Sequence, residues 1–271
     1  MQGEQVGVGK QRGLAAGLFV VVLLVWWGVT AAELVGPVFL PSPQGVVRAF
    51  WEANTCTQRG SGVWACGAQD YFLWQHLLAS IQRILVGVGV GALFGVGLGF
   101  AMGTNRVIGA LLDPYLNFLR ALPPLGYIGL LIIWFGIGDA SKVWLLFLAA
   151  FPPIAIATID GVRGVERDKV LAARTLGASK GQVLRAVIAP GALPSIVTGV
   201  RVATGFAWTT VVAAELSNGI PGIGGLAYVA GTQLDTALTI ACIIVIGVVA
   251  IALDSGIRAL GGRVAPWQGR G

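Results

Sequence analysis

Charged residues are scarce in this sequence. Asp, Glu, Lys and Arg make up 11% of its 271 residues, whereas soluble domains contain about 25%. Hydrophobic residues make up 56%, and they occur in uncharged blocks of roughly the 20 residues that cross a bilayer. The shortage of charge therefore excludes an ordinary soluble domain and predicts an integral membrane protein.

Metal ligands and catalytic groups are also few. His76 is the only histidine and the three cysteines form no Cys-x-x-Cys pair, so the ligand spacing of a metal site is missing. A lone histidine, which we place in an outer loop near a span, does not supply a nucleophile with its base. The chain also lacks the Walker sequence of P-loop ATPases. We expect no catalytic residue, metal site or cofactor on this chain.

Polarity does not alternate over the ~10-residue segments that are typical of a membrane β-barrel. The 41 glycines instead favour helices, because small residues let membrane helices approach closely. Gly87, Gly91, Gly95 and Gly99 recur every fourth residue and predict one stripe against which another helix packs. The expected fold class is an all-α integral membrane bundle.

Apolar blocks predict about six transmembrane helices. The first is too long for the apolar core of a cleaved signal peptide, which is the alternative there. A polar, proline-rich segment at residues 36–71 is expected to be an outside loop. The third block is interrupted by Arg120-Ala-Leu-Pro-Pro124, and proline predicts a break there. The blocks are Gly13–Ala32, Leu77–Met102, Ile108–Gly136, Val143–Ile159, Ile196–Ala214 and Thr236–Leu253.

The basic residues indicate the orientation of the chain. With the N-terminus inside, twelve of the 18 basic residues lie inside and three lie outside, and the other three fall within or beside spans. The positive-inside rule then predicts that both termini are cytoplasmic. We interpret Arg83 and Arg201 as snorkelling or capping residues. The net charge of +6 does not indicate nucleic-acid binding, because the positive residues lie between apolar blocks.

The longest charged segment covers residues 160–185 and forms part of a predicted cytoplasmic coupling segment at 160–194. Helical spacing predicts a helix that ends near Gly177, a turn, and a second helix over Lys180–Ile188 that stops before Pro190. An apolar ridge between cations fits a groove on another protein. The spacing leaves open that the segment rests on anionic lipid instead. The ridge consists of Ala172, Ala173, Leu176 and Ala178.

Two stretches of this segment resemble the "EAA" loop of type I ABC importer permeases. They are Leu171-Ala-Ala-Arg-Thr-Leu-Gly-Ala-Ser179 and Pro190-Gly-Ala-Leu-Pro194. Leu171 stands where the family has glutamate, and Ala189 replaces the usual leucine. The resemblance implies that residues 166–190 form the coupling helix that docks into the ATP-binding subunit. The implied docking residues are Leu171, Ala172, Ala173, Leu176, Gly177 and Ala178.

The resemblance covers most of the chain and narrows to the taurine, aliphatic sulfonate, nitrate and bicarbonate branch. The resemblance rests on the motifs Phe39-Leu-Pro-Ser-Pro-Gln44, Arg120-Ala-Leu-Pro-Pro124, Trp134-Phe-Gly-Ile-Gly138 and Val212-Ala-Ala-Glu215. Taurine permeases look closest, partly through the tail motif Pro266-Trp-Gln-Gly269. The resemblance implies a type I ABC importer transmembrane domain in the bacterial inner membrane, with ATP and Mg on the partner subunit.

The implied partners are a second copy of the chain, two ATP-binding subunits, a periplasmic substrate-binding protein and the lipid bilayer. The expected organisation is a tail with the first helix at 1–35, a periplasmic loop at 36–75, the permease domain at 76–260 and a cytoplasmic tail at 261–271. An ion-coupled secondary transporter is the alternative of a different class. It would need carboxylates near the midplane, for which only Asp113 and Glu215 are candidates.

Charges and prolines inside the apolar blocks are the candidates for the pathway or gate. Arg120 precedes the proline pair Pro123 and Pro124, where a guanidinium suits an anion. The alternative is that Arg120 pairs with Asp113 or Glu215. Glu215 precedes a glycine-rich loop containing Gly222 that is a candidate outer gate, or else it is a helix-terminal carboxylate at the wet boundary.

The cysteines fall into two kinds. Cys242 lies in an apolar block and is interpreted as a packing residue. Cys56 and Cys66 lie in the predicted outside loop, where an oxidising periplasm permits a disulfide. Nine residues separate them, which makes a bridge sterically easy, and two unpaired thiols are the alternative.

Overall fold

The computed structural model describes residues 8–59 and 63–267. The ends of the chain, including Gln268 and Gly269 of the tail motif, lie outside the described residues, as do residues 60–62 of the predicted outside loop. The chain forms two compact units, which are described separately. One unit runs up to Trp74 and includes Leu226–Ile244, and the other contains Gln75–Gly225 and the chain from Val245 onward.

The first unit begins with helix α1 (Val8–Ala31), followed by helix α2 (Pro43–Glu52) and a hairpin of strands β1 (Cys56–Arg59) and β2 (Val63–Cys66). The prediction of a loop over residues 36–71 is therefore incomplete. Ser42 starts α2 because its hydroxyl accepts a hydrogen bond from the Gly45 N–H, and Pro43 takes the first helical position, where its missing N–H costs nothing.

The second unit is helical. Its elements include most of α3 (Leu73–Thr104), then α4 (Arg106–Ala121), a 3₁₀ turn (Pro124–Tyr127), α5 (Ile128–Phe135) and α6 (Asp139–Arg163). They continue with α7 (Arg167–Thr175), α8 (Lys180–Val183), a π-helical turn (Leu184–Ile188) and α9 (Ala189–Asn218). Helices α10 (Ile223–Thr232) and α11 (Thr236–Val264) each lie partly in both units.

Helix α6 forms the centre of the second unit, where Leu145, Ala150 and Ile154 are fully buried. The predicted glycine stripe of α3 packs against it. A Cβ atom on Gly91 would lie 3.1 Å from the Ala150 Cβ, and one on Gly95 would lie 3.0 Å from the Phe151 carbonyl oxygen. The predicted close approach of a second helix is confirmed, because only glycine lets the two backbones come this near.

Four helices in the described part of the chain are long and apolar enough to cross a membrane, and a bent pair makes five. The predicted number of about six transmembrane helices is thus approximate. The apolar part of α1, Ala16–Ala31, is shorter than these, so the first span stays a prediction. The four helices are Leu73–Thr104, Asp139–Arg163, Lys180–Leu216 and Thr236–Val264, and the bent pair is Arg106–Ala121 with Pro124–Phe135.

The bend of that pair is 94° and follows from its two prolines. Leu122 and Pro123 have ψ angles of 126° and 127°, since a residue that precedes proline is pushed out of the helical region. The predicted break at this site is confirmed. The predicted stop before Pro190 is wrong, because the helix from Lys180 continues to Leu216. The wider π-helical turn directly before Pro190 gives the proline ring room.

Candidate functional site

The predicted coupling segment forms a helix, a turn and a second helix. Helix α7 ends in a Schellman motif, in which the Ala178 N–H donates to the Ala173 carbonyl and the Gly177 N–H to the Arg174 carbonyl, both at 3.0 Å. Gly177 has a φ of +82°, a conformation that glycine adopts without strain. Ser179 then starts α8 through a capping box with Gln182. The sequence therefore specifies both helix ends.

The apolar ridge of this segment lies open at the surface. The Leu176 side chain is 88% exposed, and Leu171 is also exposed. Ala172 and Gly177 are exposed, whereas Ala173 and Ala178 are half-buried. A leucine this accessible has no partner within the described chain, which suits a surface that another protein covers.

Arg120 and Pro124 lie together on a cleft of about 460 Å³ in the second unit. Its walls are mostly apolar and come from the bend after α4 and from α6 and α9. Within the described residues Arg120 forms no ion pair with Asp113 or Glu215, so the pairing alternative is wrong. Pro123 keeps the backbone extended beside the cleft. The lining also includes Leu122, Tyr127, Pro152, Pro153, Asp160, Gly199, Val202 and Phe206.

Asp160 is a residue of this cleft that the sequence reasoning missed. It lies at the start of the long charged segment, which the sequence predicts to be cytoplasmic. The structure places it inside α6, three residues before the helix ends. The cleft thus carries a guanidinium and a carboxylate that do not pair with each other in the described structure.

Glu215 and Gly222 lie elsewhere, in a buried polar cluster. Glu215 is only 1% exposed. Its Oε1 accepts hydrogen bonds from the Ser80 hydroxyl at 2.7 Å and from Arg83 Nη1 at 2.6 Å, and its Oε2 accepts one from the Gly224 N–H at 2.8 Å. The carboxylate is fully partnered, so the alternative of a carboxylate at the wet boundary is wrong.

Arg83 is the cation that pairs with Glu215 and is 6% exposed, and a second buried cation, Lys142, lies 3.8 Å from Asp139. Besides Glu215, its Nε donates to Asp139 Oδ1 at 2.8 Å, and its Nη2 donates to the Pro221 carbonyl at 2.8 Å. Of the two interpretations of Arg83, snorkelling is therefore wrong, and a capping role stays a prediction. A buried guanidinium is stable only where carboxylates and carbonyls replace its water.

The cluster also holds the loop that follows α9. The Gly222 N–H donates to His76 Nδ1 at 3.1 Å, and the Ile223 N–H donates to the Ser80 hydroxyl at 3.0 Å. His76 is fully buried within α3, which corrects its assignment to an outer loop. His76, Ser80 and Arg83 recur at the i, i+4, i+7 spacing of one helix face, a signal that sequence reasoning did not use.

Arg201, which the sequence analysis interprets as a snorkelling or capping residue, forms an ion pair in the structure. Its Nε and Nη2 donate to the two oxygens of Asp254 at 2.8 and 3.0 Å. Asp254 is the sequence feature that could have indicated this ion pair, because a carboxylate within an apolar span needs a partner.

Cys56 and Cys66 face each other across the hairpin and are joined as a disulfide. Cys242 is buried. The bridge in the living cell stays a prediction, and its test is given below.

Comparison with known proteins agrees with the family resemblance seen in the sequence. Residues 91–266 match the family described as "Binding-protein-dependent transport system inner membrane component". The chain is 43% identical to the taurine transport system permease protein TauC of Escherichia coli K12, across 96% of this chain and 91% of that protein. It is 37% identical to the putative aliphatic sulfonates transport permease protein SsuC of the same organism, across 82% and 80%.

A solved structure shows the same fold. The inward-facing methionine ABC transporter MetNI superposes with a TM-score of 0.62 at 19% identity, covering 71% of this chain and 95% of that chain. The chain belongs to the binding-protein-dependent transport system inner membrane components, the permeases of ABC importers, and has the type I fold. Within that family it falls in the branch of taurine and aliphatic sulfonate permeases.

Proposed function

We propose that this chain forms the translocation pathway of an ATP-driven importer of taurine. The observation that carries the proposal is the 43% identity with a taurine transport permease along almost the whole chain. The cleft supports it, since it holds both Arg120 and Asp160. Taurine carries a sulfonate, which a guanidinium binds well, and an ammonium, which a carboxylate can face. Alkanesulfonates, nitrate and bicarbonate lack that cation and are the alternatives.

Energy is supplied by partners in this proposal. Two ATP-binding subunits carry ATP and Mg, a periplasmic substrate-binding protein delivers taurine, and two copies of the chain pair around one pathway. Both termini are cytoplasmic. Ion-coupled transport is less favoured, because Glu215, one of its two candidate carboxylates, is already paired with Arg83 at 2.6 Å.

Reconstitution tests the transport role directly. The chain is purified with its ATPase subunit and placed in liposomes with the substrate-binding protein, and uptake of labelled taurine and ethanesulfonate is measured with and without ATP. We expect ATP-dependent taurine uptake, and Asp160→Asn should reduce taurine uptake more than ethanesulfonate uptake. Uptake driven by an ion gradient without ATP would contradict the proposal.

The coupling role of the exposed ridge predicts an uncoupled variant. In Gly177→Asp, a carboxylate enters the ridge, and a non-glycine residue at a φ of +82° is strained by roughly 1–2 kcal/mol. The membrane fold should remain, because a Cβ atom at Gly177 meets nothing within 4 Å. Taurine uptake per ATP hydrolysed should fall strongly.

Gly181→Asp is the matched control. A Cβ atom there also meets nothing within 4 Å, and an acidic residue in the first turn of α8 favours the helix. Its uptake should stay near the wild-type value. Normal coupling in Gly177→Asp would show that the segment does not dock on the ATPase subunit.

A further inference from the structure

Helix α2 has three distinct faces. Val46 and Ala53, the residue that caps the end of the helix, are buried. Val47 and Trp51 are each 68% exposed, and Phe50 is exposed beside them. At about 100° per residue, these three apolar side chains form a stripe about 100° wide. The opposite exposed face carries Arg48 and Glu52, which pair at 2.8 Å.

Both ends of α2 are tied to apolar helices. At its start, Trp26 Nε1 of α1 donates to the Pro41 carbonyl at 3.0 Å. At its end, the Leu73 N–H, which begins α3, donates to the Ala53 carbonyl at 2.9 Å. Helix α2 therefore bridges the point where α1 ends and the point where α3 starts. These two hydrogen bonds hold both ends of α2 next to apolar helices.

Helix α1 indicates the depth of α2 in the bilayer. Its sequence is uncharged from Gly13 to Ala32, and Trp26 lies about 7.5 Å along the axis from the last residue, Ala31. Interfacial helices bury their apolar face about 5–10 Å into the boundary between headgroups and acyl chains. Tryptophan is enriched at the same level. In a bilayer spanned by α1, Trp26 and the Pro41 carbonyl that it binds would therefore lie at the level of the interface.

We infer that α2 is an interfacial helix whose Val47, Phe50 and Trp51 stripe inserts into the lipid of the leaflet where α1 ends. This is the periplasmic leaflet in the proposed orientation, and the inference uses the span predicted for α1 but not the identity of the substrate. Lipid is favoured over a protein because α1, which is tied to the start of α2 through Trp26, also exposes apolar side chains such as Leu24 and Trp27. The Arg48–Glu52 pair faces the water.

Photo-crosslinking tests this in the complete transporter in its native membrane. The photoreactive residue p-benzoyl-phenylalanine replaces Val47 in one variant and Trp51 in another, and adducts are identified by mass spectrometry after irradiation. We expect phospholipid adducts at both positions. The control variant carries the probe at Glu52, on the polar face of the same helix, and should give several-fold less lipid adduct.

Two results would overturn the inference. One is a lipid yield at Val47 and Trp51 no greater than at Glu52. The other is a dominant adduct with a polypeptide, either a substrate-binding protein or a second copy of the chain. If the Val47 variant fails to accumulate, the Trp51 variant reports on the same stripe. Neither result depends on which solute is transported, so failure here leaves the proposed function standing.

Discussion

Removing Arg83 should destabilise the protein more than removing any carboxylate that it contacts. In Arg83→Leu, the buried carboxylate of Glu215 keeps only two neutral donors, the Ser80 hydroxyl and the Gly224 N–H. In Glu215→Leu, Arg83 still has Asp139 and the Pro221 carbonyl. The first variant therefore removes the cation that pairs with Glu215 at 2.6 Å and leaves only the more distant Lys142, which lies 3.8 Å from Asp139, whereas the second variant leaves Arg83 paired with Asp139.

The expected losses of unfolding free energy follow from this difference. Breaking a buried ion pair by removing one partner costs about 3–5 kcal/mol, and we expect Arg83→Leu near the top of that range and Glu215→Leu near or below the bottom. The Asp139 side chain is 69% exposed, so Asp139→Asn should cost at most about 1 kcal/mol. One kcal/mol corresponds to roughly 2–4 °C in Tm for 150–250 residues.

Thermal unfolding of detergent-purified variants measures this order, and a double variant isolates the pair. Arg83→Leu combined with Glu215→Leu removes both buried charges, so its loss in Tm should be clearly smaller than the sum of the two single losses. Additive losses, or equal losses for Arg83→Leu and Asp139→Asn, would refute the view that the Arg83–Glu215 pair determines the stability of this cluster.

Three further predictions concern other parts of the molecule. Gly99→Leu should lower Tm, since overpacking against α6 costs about 1–3 kcal/mol. Gly97→Leu is the control and should leave Tm unchanged, because the space around its Cβ is open. Equal shifts in Tm for the two variants would contradict the packing of Gly99 against α6. Arg120→Gln should reduce taurine uptake without changing Tm, with Arg120→Lys retaining more activity, and wild-type uptake by Arg120→Gln would remove this residue from the pathway. Cys56 and Cys66 should resist a membrane-impermeant maleimide in intact cells until a reductant is added; labelling of both without reduction would disprove the bridge or the orientation.

Features set by local backbone chemistry were predictable from the sequence. The break at Pro123 and Pro124 follows from steric limits that act on neighbouring residues. The glycine stripe of α3 follows from helical periodicity. The turn at Gly177 is likewise local. Each of these predictions needs only a few adjacent residues, which explains why they agree with the structure.

Features set by tertiary contacts were not predictable in the same way. Arg83 and Glu215 lie 132 residues apart, and nothing in either stretch identifies the other as its partner. Assigning Arg83 to the membrane surface followed from its place near the end of a span. Helix α2 is a different case, because Ser42 and Pro43 form a recognisable helix start. The many prolines and glycines of that region outweighed the signal.

The continuous helix from Lys180 to Leu216 has a mechanical consequence. At about 1.5 Å per residue, it extends roughly 50 Å from the turn at Ser179 to the carboxylate of Glu215. One continuous helix therefore connects the turn that follows the exposed ridge with the glycine loop held by His76 and Ser80. A tilt of this helix at its cytoplasmic end would therefore displace the loop at its other end, reduced by any bending at the π-helical turn before Pro190.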